Sequence, residues 1–271
     1  DTHSFPTRRS SDLRASLYLN ARTAFENTVL ASFRVNGLQL QGFFLKPQEI
    51  DIAVAQTDTR IAGAQLSYEA ASAVNVGGTF LHVPQSRTTY RLPGDEARQR
   101  EGLRVVNPYL YIPDVRGWWF RTEYAYQDHD DFDMAAHAAY GVLGHVFRKH
   151  PWQPNASYRY AWFGGDDSET SAYERFDPLL SGGLSEWVQG IVMKKVTANA
   201  NLITHRLRLT VNPDPALECS LDYFFFRADQ RNNLGGAPPL QTLPSKDLGQ
   251  EITLTTECLI NRNFFLLGVL S

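Results

Sequence analysis

Arginine side chains recur at the polar positions of several alternating segments, and they are the residues best placed to bind a solute. The candidates for a solute path are Arg34, Arg121, Glu123, Arg159, Arg206 and Arg208. A guanidinium group stays charged and matches the geometry of a carboxylate, so a series of them could pass carboxylated molecules along one surface. Lys194 and Lys195 lie just outside a predicted strand and would add to this positive charge.

The same arginines have a second, purely structural interpretation. They could pair across strands with carboxylates and only keep one face of a sheet hydrated. The available partners are Glu123, Glu218, Asp222, Glu251 and Glu257. Because the sequence does not reveal the pairing register, both interpretations stay open.

Two acidic segments offer carboxylates for other chemistry. Asp128–Asp133 could hold a calcium ion, but it lacks the glycine and the final glutamate of an EF-hand loop. Asp166, Asp167 and Glu169 could serve glycoside hydrolysis, which needs an acid facing its partner carboxylate across a cleft. Since the sequence indicates no such cleft, we interpret both segments as solvated loops.

No further motif predicts an enzyme, a metal site or a cofactor. His137 and His145 share one predicted strand, where eight residues separate them by roughly 26 Å. The sequence has no P-loop, nucleophile elbow or dinucleotide fingerprint. The net charge of −3 gives no reason to expect a nucleic-acid partner. We therefore predict neither catalysis nor a bound cofactor.

The two cysteines, Cys219 and Cys258, flank the same long loop on consecutive predicted strands. A register that pairs Ala228 near Leu248 would set them almost opposite each other. They could then form a cross-strand disulfide in an oxidising compartment. The preferred interpretation is that both are small apolar residues on the apolar face of the sheet.

The elements that would position these side chains are β-strands. Apolar and polar residues alternate over about ten positions at a time, which is typical of strands with one apolar and one polar face. The clearest segments are Trp118–Gln127, Asn155–Phe163, Arg206–Val211, Leu217–Phe225 and Glu251–Ile260. Ala135–Val146 could form a helix by propensity, but its two glycines and its neighbours favour a strand. We count about twelve strands by this pattern.

Short and long connections alternate between these strands. The short ones include Asn36-Gly37, Pro113–Val115 and Pro213–Ala216, and the longest ones are Asp166–Asn199 and Asp229–Asp247. Transmembrane β-barrels sort their connections in this way, and closure leaves no backbone edge unpaired in lipid. The mean hydropathy of −0.33 fits a barrel whose inner face is wet. We predict an all-β, antiparallel up-and-down transmembrane β-barrel.

The aromatic residues near strand ends fit the girdles that such barrels place at the two membrane interfaces. This set comprises Trp118, Trp119, Trp152, Tyr158, Trp162, Phe224, Phe225 and Phe226. Residues 4–13 read SFPTRRSSDL, which resembles a translated sequencing adaptor, so we treat residues 1–13 as foreign. The chain stops within an apolar segment, and a channel needs more than twelve strands. We therefore expect residues 14–271 to be a barrel truncated at both ends.

Several short motifs resemble the alginate export porin family of bacterial outer membranes. Tyr173–Leu179 contains the element Phe-Asp-Pro-Leu, and a glycine-rich stretch with a tryptophan, Ser181–Trp187, follows it. Asn199 or Asn201 precedes the next strand, and Lys246–Glu251 opens a later one. Asn261-Arg-Asn-Phe precedes the last segment. The resemblance runs from about Arg22 to the C-terminus and implies a barrel of about eighteen strands with a basic lumen.

The combined prediction is an outer-membrane porin or exporter for polar, anionic solutes such as alginate-like polyuronate. Its expected surroundings are the bacterial outer-membrane lipid, an anionic polysaccharide or small anion, and periplasmic export partners. The alternative is a soluble or surface β protein that binds polysaccharide without transporting it. The long loops would fold over or into the channel.

Overall fold

The computed structural model describes residues 25–47, 57–70, 74–92, 96–179, 190–193, 196–236, 239–260 and 264–271. Within these ranges the regular structure consists of strands. No helix among the described residues is long and apolar enough to cross a bilayer. Residues 1–13, Ser181–Trp187, Lys194 and Lys195 lie outside the described residues.

The described residues form fourteen strands, which are joined by short and by long connections. They are β1 Phe25–Val35, β2 Leu38–Pro47, β3 Arg60–Glu69, β4 Asn75–Gln85, β5 Thr89–Arg91, β6 Ala97–Gln99, β7 Leu103–Val115, β8 Trp118–His129, β9 Ala136–Val146, β10 Asn155–Phe163, β11 Leu202–Asp214, β12 Leu217–Arg227, β13 Asp247–Leu259 and β14 Phe265–Leu270.

Twelve of these strands form one antiparallel sheet in which each strand pairs with the next along the chain. The exception is the small hairpin β5–β6, which lies within the connection between β4 and β7. The prediction of an all-β, antiparallel up-and-down architecture is confirmed, and Ala136–Val146 is a strand. β1 and β14 occupy the two edges of the sheet, and a total of about eighteen strands stays a prediction.

Tight turns join the strands at one end of the sheet, which we call the turn end. Asn36 and Gly37 have φ angles of 47° and 81°, which a two-residue hairpin of type I′ requires. Arg116 and Gly117 repeat this pattern with φ angles of 56° and 92°. The prediction that Pro113–Val115 forms a turn is wrong, because β7 extends through Val115 and the turn follows it.

The sheet has two different faces, which the pairing register defines. Residues directly opposite one another in antiparallel strands point to the same side. One such row, Arg121, Val142, Arg159, Arg206, Phe224 and Glu251, crosses six strands from β8 to β13. We call this side the covered face, since loop segments pack against it. On the opposite, open face, Leu207, Leu221 and Ile252 are exposed.

Some aromatic side chains on the open face lie near strand ends, where a barrel places them at a membrane interface. Trp118 contacts His145 near the turn end, with ring centroids 4.7 Å apart. Toward the other end, which we call the loop end, the hydroxyl of Tyr124 lies 2.6 Å from Nδ1 of His137. The Trp162 ring stacks on this histidine.

Three of the aromatic residues predicted for the girdles are on the covered face instead. Phe224 and Phe226 are fully buried there and pack against Leu202. Trp119 also faces this side, beside Tyr140. The girdle prediction is wrong for these three residues, because Phe224 and Phe226 pack in a buried cluster with Met193 of a loop, and the Trp119 indole packs over Gly144 of β9.

Candidate functional site

A cluster of three arginines lies on the covered face of β10 and β11, beside an aspartate of β12. Arg159 is directly opposite Arg206 in the pairing of β10 with β11. Arg208 is directly opposite Asp222 on β12 and grips its carboxylate with two parallel hydrogen bonds of 2.7 and 2.6 Å. The Nε atom of Arg206 lies 3.6 Å from the same carboxylate. The strand register therefore brings together three of the predicted site residues.

Burial sets the electrostatic character of this arginine cluster. Arg159 is 1% exposed, Arg206 is 6% exposed and Asp222 is fully buried. Charges held away from water interact much more strongly than exposed ones. Arg206 and Arg208 share the buried carboxylate of Asp222, and Arg159 lies directly opposite Arg206.

The other predicted site residues form ion pairs elsewhere on the covered face. Arg34 contacts Glu69 at 2.7 Å near the turn end, and both side chains are well exposed. Arg121 contacts Glu123, also at 2.7 Å, and its guanidinium lies 5.8 Å from the ring centroid of Tyr140. The structural interpretation, pairing with carboxylates, describes these two arginines.

The carboxylates expected as partners divide into two groups. Glu123 and Asp222 pair with arginines, whereas Glu218 is directly opposite Glu257 and Glu251 binds a loop. On the described covered face, the register thus places Arg159, Arg206 and Arg208 side by side, whereas Arg34 and Arg121 lie apart from them.

Asp177, the aspartate of the Phe-Asp-Pro-Leu element, anchors the loop between β10 and β11. Its carboxylate accepts hydrogen bonds from Nε and Nη2 of Arg100, at 2.6 and 3.0 Å. The hydroxyl of Tyr90 donates a third at 2.8 Å. The backbone of Asp177 also exchanges two hydrogen bonds with the side-chain amide of Gln127 on β8. This residue thus ties its loop to the β5–β6 hairpin and to the sheet.

Glu251 holds a second part of the same loop against the covered face. Its carboxylate accepts hydrogen bonds from the backbone N–H groups of Ile191, Val192 and Met193. The hydroxyl of Thr253 donates another at 2.9 Å. Consecutive N–H groups that converge on one carboxylate form a favourable anion-binding arrangement.

Asn201 joins this loop to the one between β12 and β13. Its side-chain amide donates to the carbonyl of Gln230 at 3.1 Å, and its side-chain oxygen accepts from the N–H of the same residue at 2.7 Å. Its φ of 53° places it in the left-handed region that asparagine tolerates. Of the two candidate asparagines, Asn201 is therefore the one that connects the loops.

Burial shifts the pKa values of several groups in these loops. Desolvation and the neighbouring Asp177 carboxylate raise the pKa of Tyr90. Burial also raises the pKa of Asp166, which accepts hydrogen bonds from the side chain of Asn232 and the N–H of Glu174. For Arg100, burial opposes and Asp177 favours the charged form, and the pKa is raised overall. These shifts indicate a dry network that holds the loops in place.

The remaining candidate residues from the sequence form ion pairs or lie on the open face. In the acidic segment, Asp128 and Asp130 both pair with Arg104 on the neighbouring strand. Cys219 is opposite Thr256 and Cys258 is opposite Leu217, and both thiols are free, so the alternative of a cross-strand disulfide is wrong and both cysteines lie on the open face. His137 and His145 both face the open side of β9.

Sequence reasoning from periodicity missed the loop anchors Asp177, Asn201 and Glu251. They occur within or beside the motifs that carry the family resemblance, and those motifs were the feature of the sequence that could have identified them. Their role depends on contacts between distant segments, and alternation within one strand does not report such contacts.

Comparison with known proteins gives one result that covers nearly the whole chain. A family model described as alginate export matches residues 14–267. The comparison with curated proteins finds no match. The matched range includes the arginine cluster and all three loop anchors.

Proposed function

The chain belongs to the alginate export family, and from this premise we propose that its covered face lines an outer-membrane channel for anionic polysaccharide. Export of polysaccharide across the outer membrane is the activity that membership suggests. The finer proposal is that carboxylated sugars are bound and passed on within the lumen. No covalent chemistry is required.

The observation that carries this proposal is the arginine cluster of Arg159, Arg206 and Arg208. The guanidinium groups of Arg206 and Arg208 share the buried carboxylate of Asp222, and Arg159 lies directly opposite Arg206 on the next strand. A uronate carboxylate could make the same paired hydrogen bonds. Rings or clusters of basic side chains favour anions in aqueous pores.

The open face supports the membrane part of the proposal. Its exposed leucines and isoleucines would face lipid, and its tyrosine, tryptophan and histidine rings would lie near the headgroups. Of the long loops at the loop end, the one between β10 and β11 packs against the covered face through Asp177 and Glu251, and Asn201 joins it to the one between β12 and β13. They would narrow one mouth of the channel.

Ion selectivity in planar bilayers tests the proposal. In the intact protein, the double substitution Arg159→Gln and Arg208→Gln should lower the anion-to-cation permeability ratio severalfold. Arg104→Gln on the open face is the matched control and should leave the ratio unchanged. An unchanged reversal potential in the double variant would contradict a selective role for the cluster. An inserted protein that conducts nothing would favour the alternative of polysaccharide binding without transport.

A further inference from the structure

Three aromatic side chains share the covered face of β7 and β8 near the turn end: Tyr109, Tyr111 and Trp119. Tyr109 is directly opposite Gly77 on β4, and Trp119 is directly opposite Gly144 on β9. Tyr111 is directly opposite Arg121, which fixes its side chain on the same face. These aromatic residues are separate from the arginine cluster, which begins two strands away on β10.

Two of these rings lie against glycines. A Cβ atom added to Gly77 would come within 2.7 Å of the Tyr109 hydroxyl, and one added to Gly144 would overlap the Trp119 indole. The hydroxyl end of Tyr109 and the indole of Trp119 therefore lie over the glycine of the opposite strand. Both side chains are half-buried, so part of each stays exposed.

Polar groups at the ring edges fix the orientation of both rings. Nε1 of Trp119 donates a hydrogen bond to Oδ1 of Asn155 at 3.1 Å. Nε2 of Gln65 donates to the Tyr109 hydroxyl at 3.3 Å. Tyr111 lacks a glycine partner and is 39% exposed, so its ring is accessible from the lumen side.

The three rings occupy successive inward positions along the strand direction. Tyr109 and Tyr111 are two residues apart on β7, about 7 Å at the usual rise of a strand. Trp119 lies one further step toward the turn end, on the neighbouring strand. Uncharged polar side chains accompany them on the same face, including Gln65, Asn75 and Asn107. The Arg121–Glu123 ion pair lies directly opposite Tyr111 and Tyr109, so this part of the wall combines aromatic rings and amide groups with one paired set of charges.

We propose that Tyr109, Tyr111 and Trp119 form a stacking track for the apolar faces of pyranose rings. The inference rests on the proposed function, since it needs the covered face to line the lumen. A sugar ring carries C–H groups on its faces and hydroxyls at its edge. Flat aromatic rings bury the C–H faces, and neighbouring amides bond the hydroxyls. The track would bind the neutral part of each residue, independently of its carboxylate.

Current blockade by a neutral oligosaccharide tests the track. The probe is an uncharged β-1,4-linked glucose hexamer, added to the intact protein in a planar bilayer. Trp119→Leu and Tyr111→Leu should each shorten the blockades about fivefold, the loss expected for one aromatic contact. Trp118→Leu is the matched control because Trp118 is the adjacent residue on the open face, and its blockades should be unchanged.

The outcomes separate this proposal from the proposed function. Wild-type blockade times in both Trp119→Leu and Tyr111→Leu would overturn the stacking track, as would equal shortening in Trp118→Leu. If Trp119→Leu fails to assemble, Tyr111→Leu decides, since its ring has no glycine to cover. Failure of the hexamer to block the wild-type protein would also overturn it. The role of the arginine cluster is judged separately, from reversal potentials measured without sugar.

Discussion

Neutralising Asp177 should release the loop between β10 and β11 from the sheet. In Asp177→Asn, the side chain keeps its shape but loses its charge. The guanidinium of Arg100 then stays in a largely buried position without a carboxylate partner at residue 177. The native carboxylate accepts four hydrogen bonds, including one from the N–H of Leu179. Side-chain exposure of 4% for Asp177 and 16% for Arg100 makes this a desolvated pair.

The size of the effect follows from that burial. Removing one partner of a buried ion pair costs about 3–5 kcal/mol, and the partial exposure of Arg100 favours the lower end of this range. A loss of about 3 kcal/mol raises the population of the open loop roughly 100-fold. Amide hydrogen exchange reports this population directly in local segments. The peptides to follow cover residues 164–179 and 96–102.

A matched control and a double variant make the result decisive. Asp128→Asn removes the exposed ion pair with Arg104 and should change exchange less than about fivefold. Replacing both Asp177 and Arg100 with leucine removes the uncompensated charge and should restore part of the protection. Native exchange rates in Asp177→Asn would refute the anchoring role of this carboxylate.

Three further predictions concern packing, loop attachment and pH. Gly144→Ala should lower the free energy of unfolding by about 1–3 kcal/mol, because the added methyl group would overlap the facing indole. Gly141→Ala is the control, since the space around Gly141 is open, and it should leave the free energy of unfolding unchanged. Urea unfolding of the two variants measures the difference. Glu251→Gln should increase exchange at residues 190–193, because it weakens charge-assisted hydrogen bonds, while Glu257→Gln leaves this segment unchanged. Burial raises the pKa of Asp166, so its ionisation opposes folding, and loop protection should increase as the pH falls toward about 4. Asp166→Asn should remove this dependence of loop protection on pH. If the pH profile of amide exchange in Asp166→Asn matches that of the wild type, the role of Asp166 is contradicted.

The sequence predicted the sheet well because alternation is a local property. Each long strand shows its two faces in its own residues, as in Trp118–Gln127, and the structure confirms these segments. The position of the turn after β7 was wrong because proline and aspartate at 113 and 114 are typical turn residues, yet Arg116-Gly117 supplies the positive φ angles.

Contacts between distant segments were beyond the sequence. Parity placed Trp119 on the same face as Arg121, but it does not report that the indole packs over Gly144 of the next strand. It also does not report that Met193 of a loop packs against Phe224 and Phe226. The offset between Cys219 and Cys258 depends on a register that differs by only two residues from the one that would pair them. Asp177 and Glu251 gain their roles from loops that meet only in the folded chain.

The row that runs from Arg121 through Arg159 and Arg206 has a geometric consequence. A line through directly paired residues runs perpendicular to the strands, and strands in membrane barrels tilt by about 35–45° from the barrel axis. The row therefore follows a helical path along the wall, and its residues lie at successive heights along the barrel axis. A polymer that advances from one arginine to the next would have to rotate about its own axis, so passage through this wall would couple translation to twist.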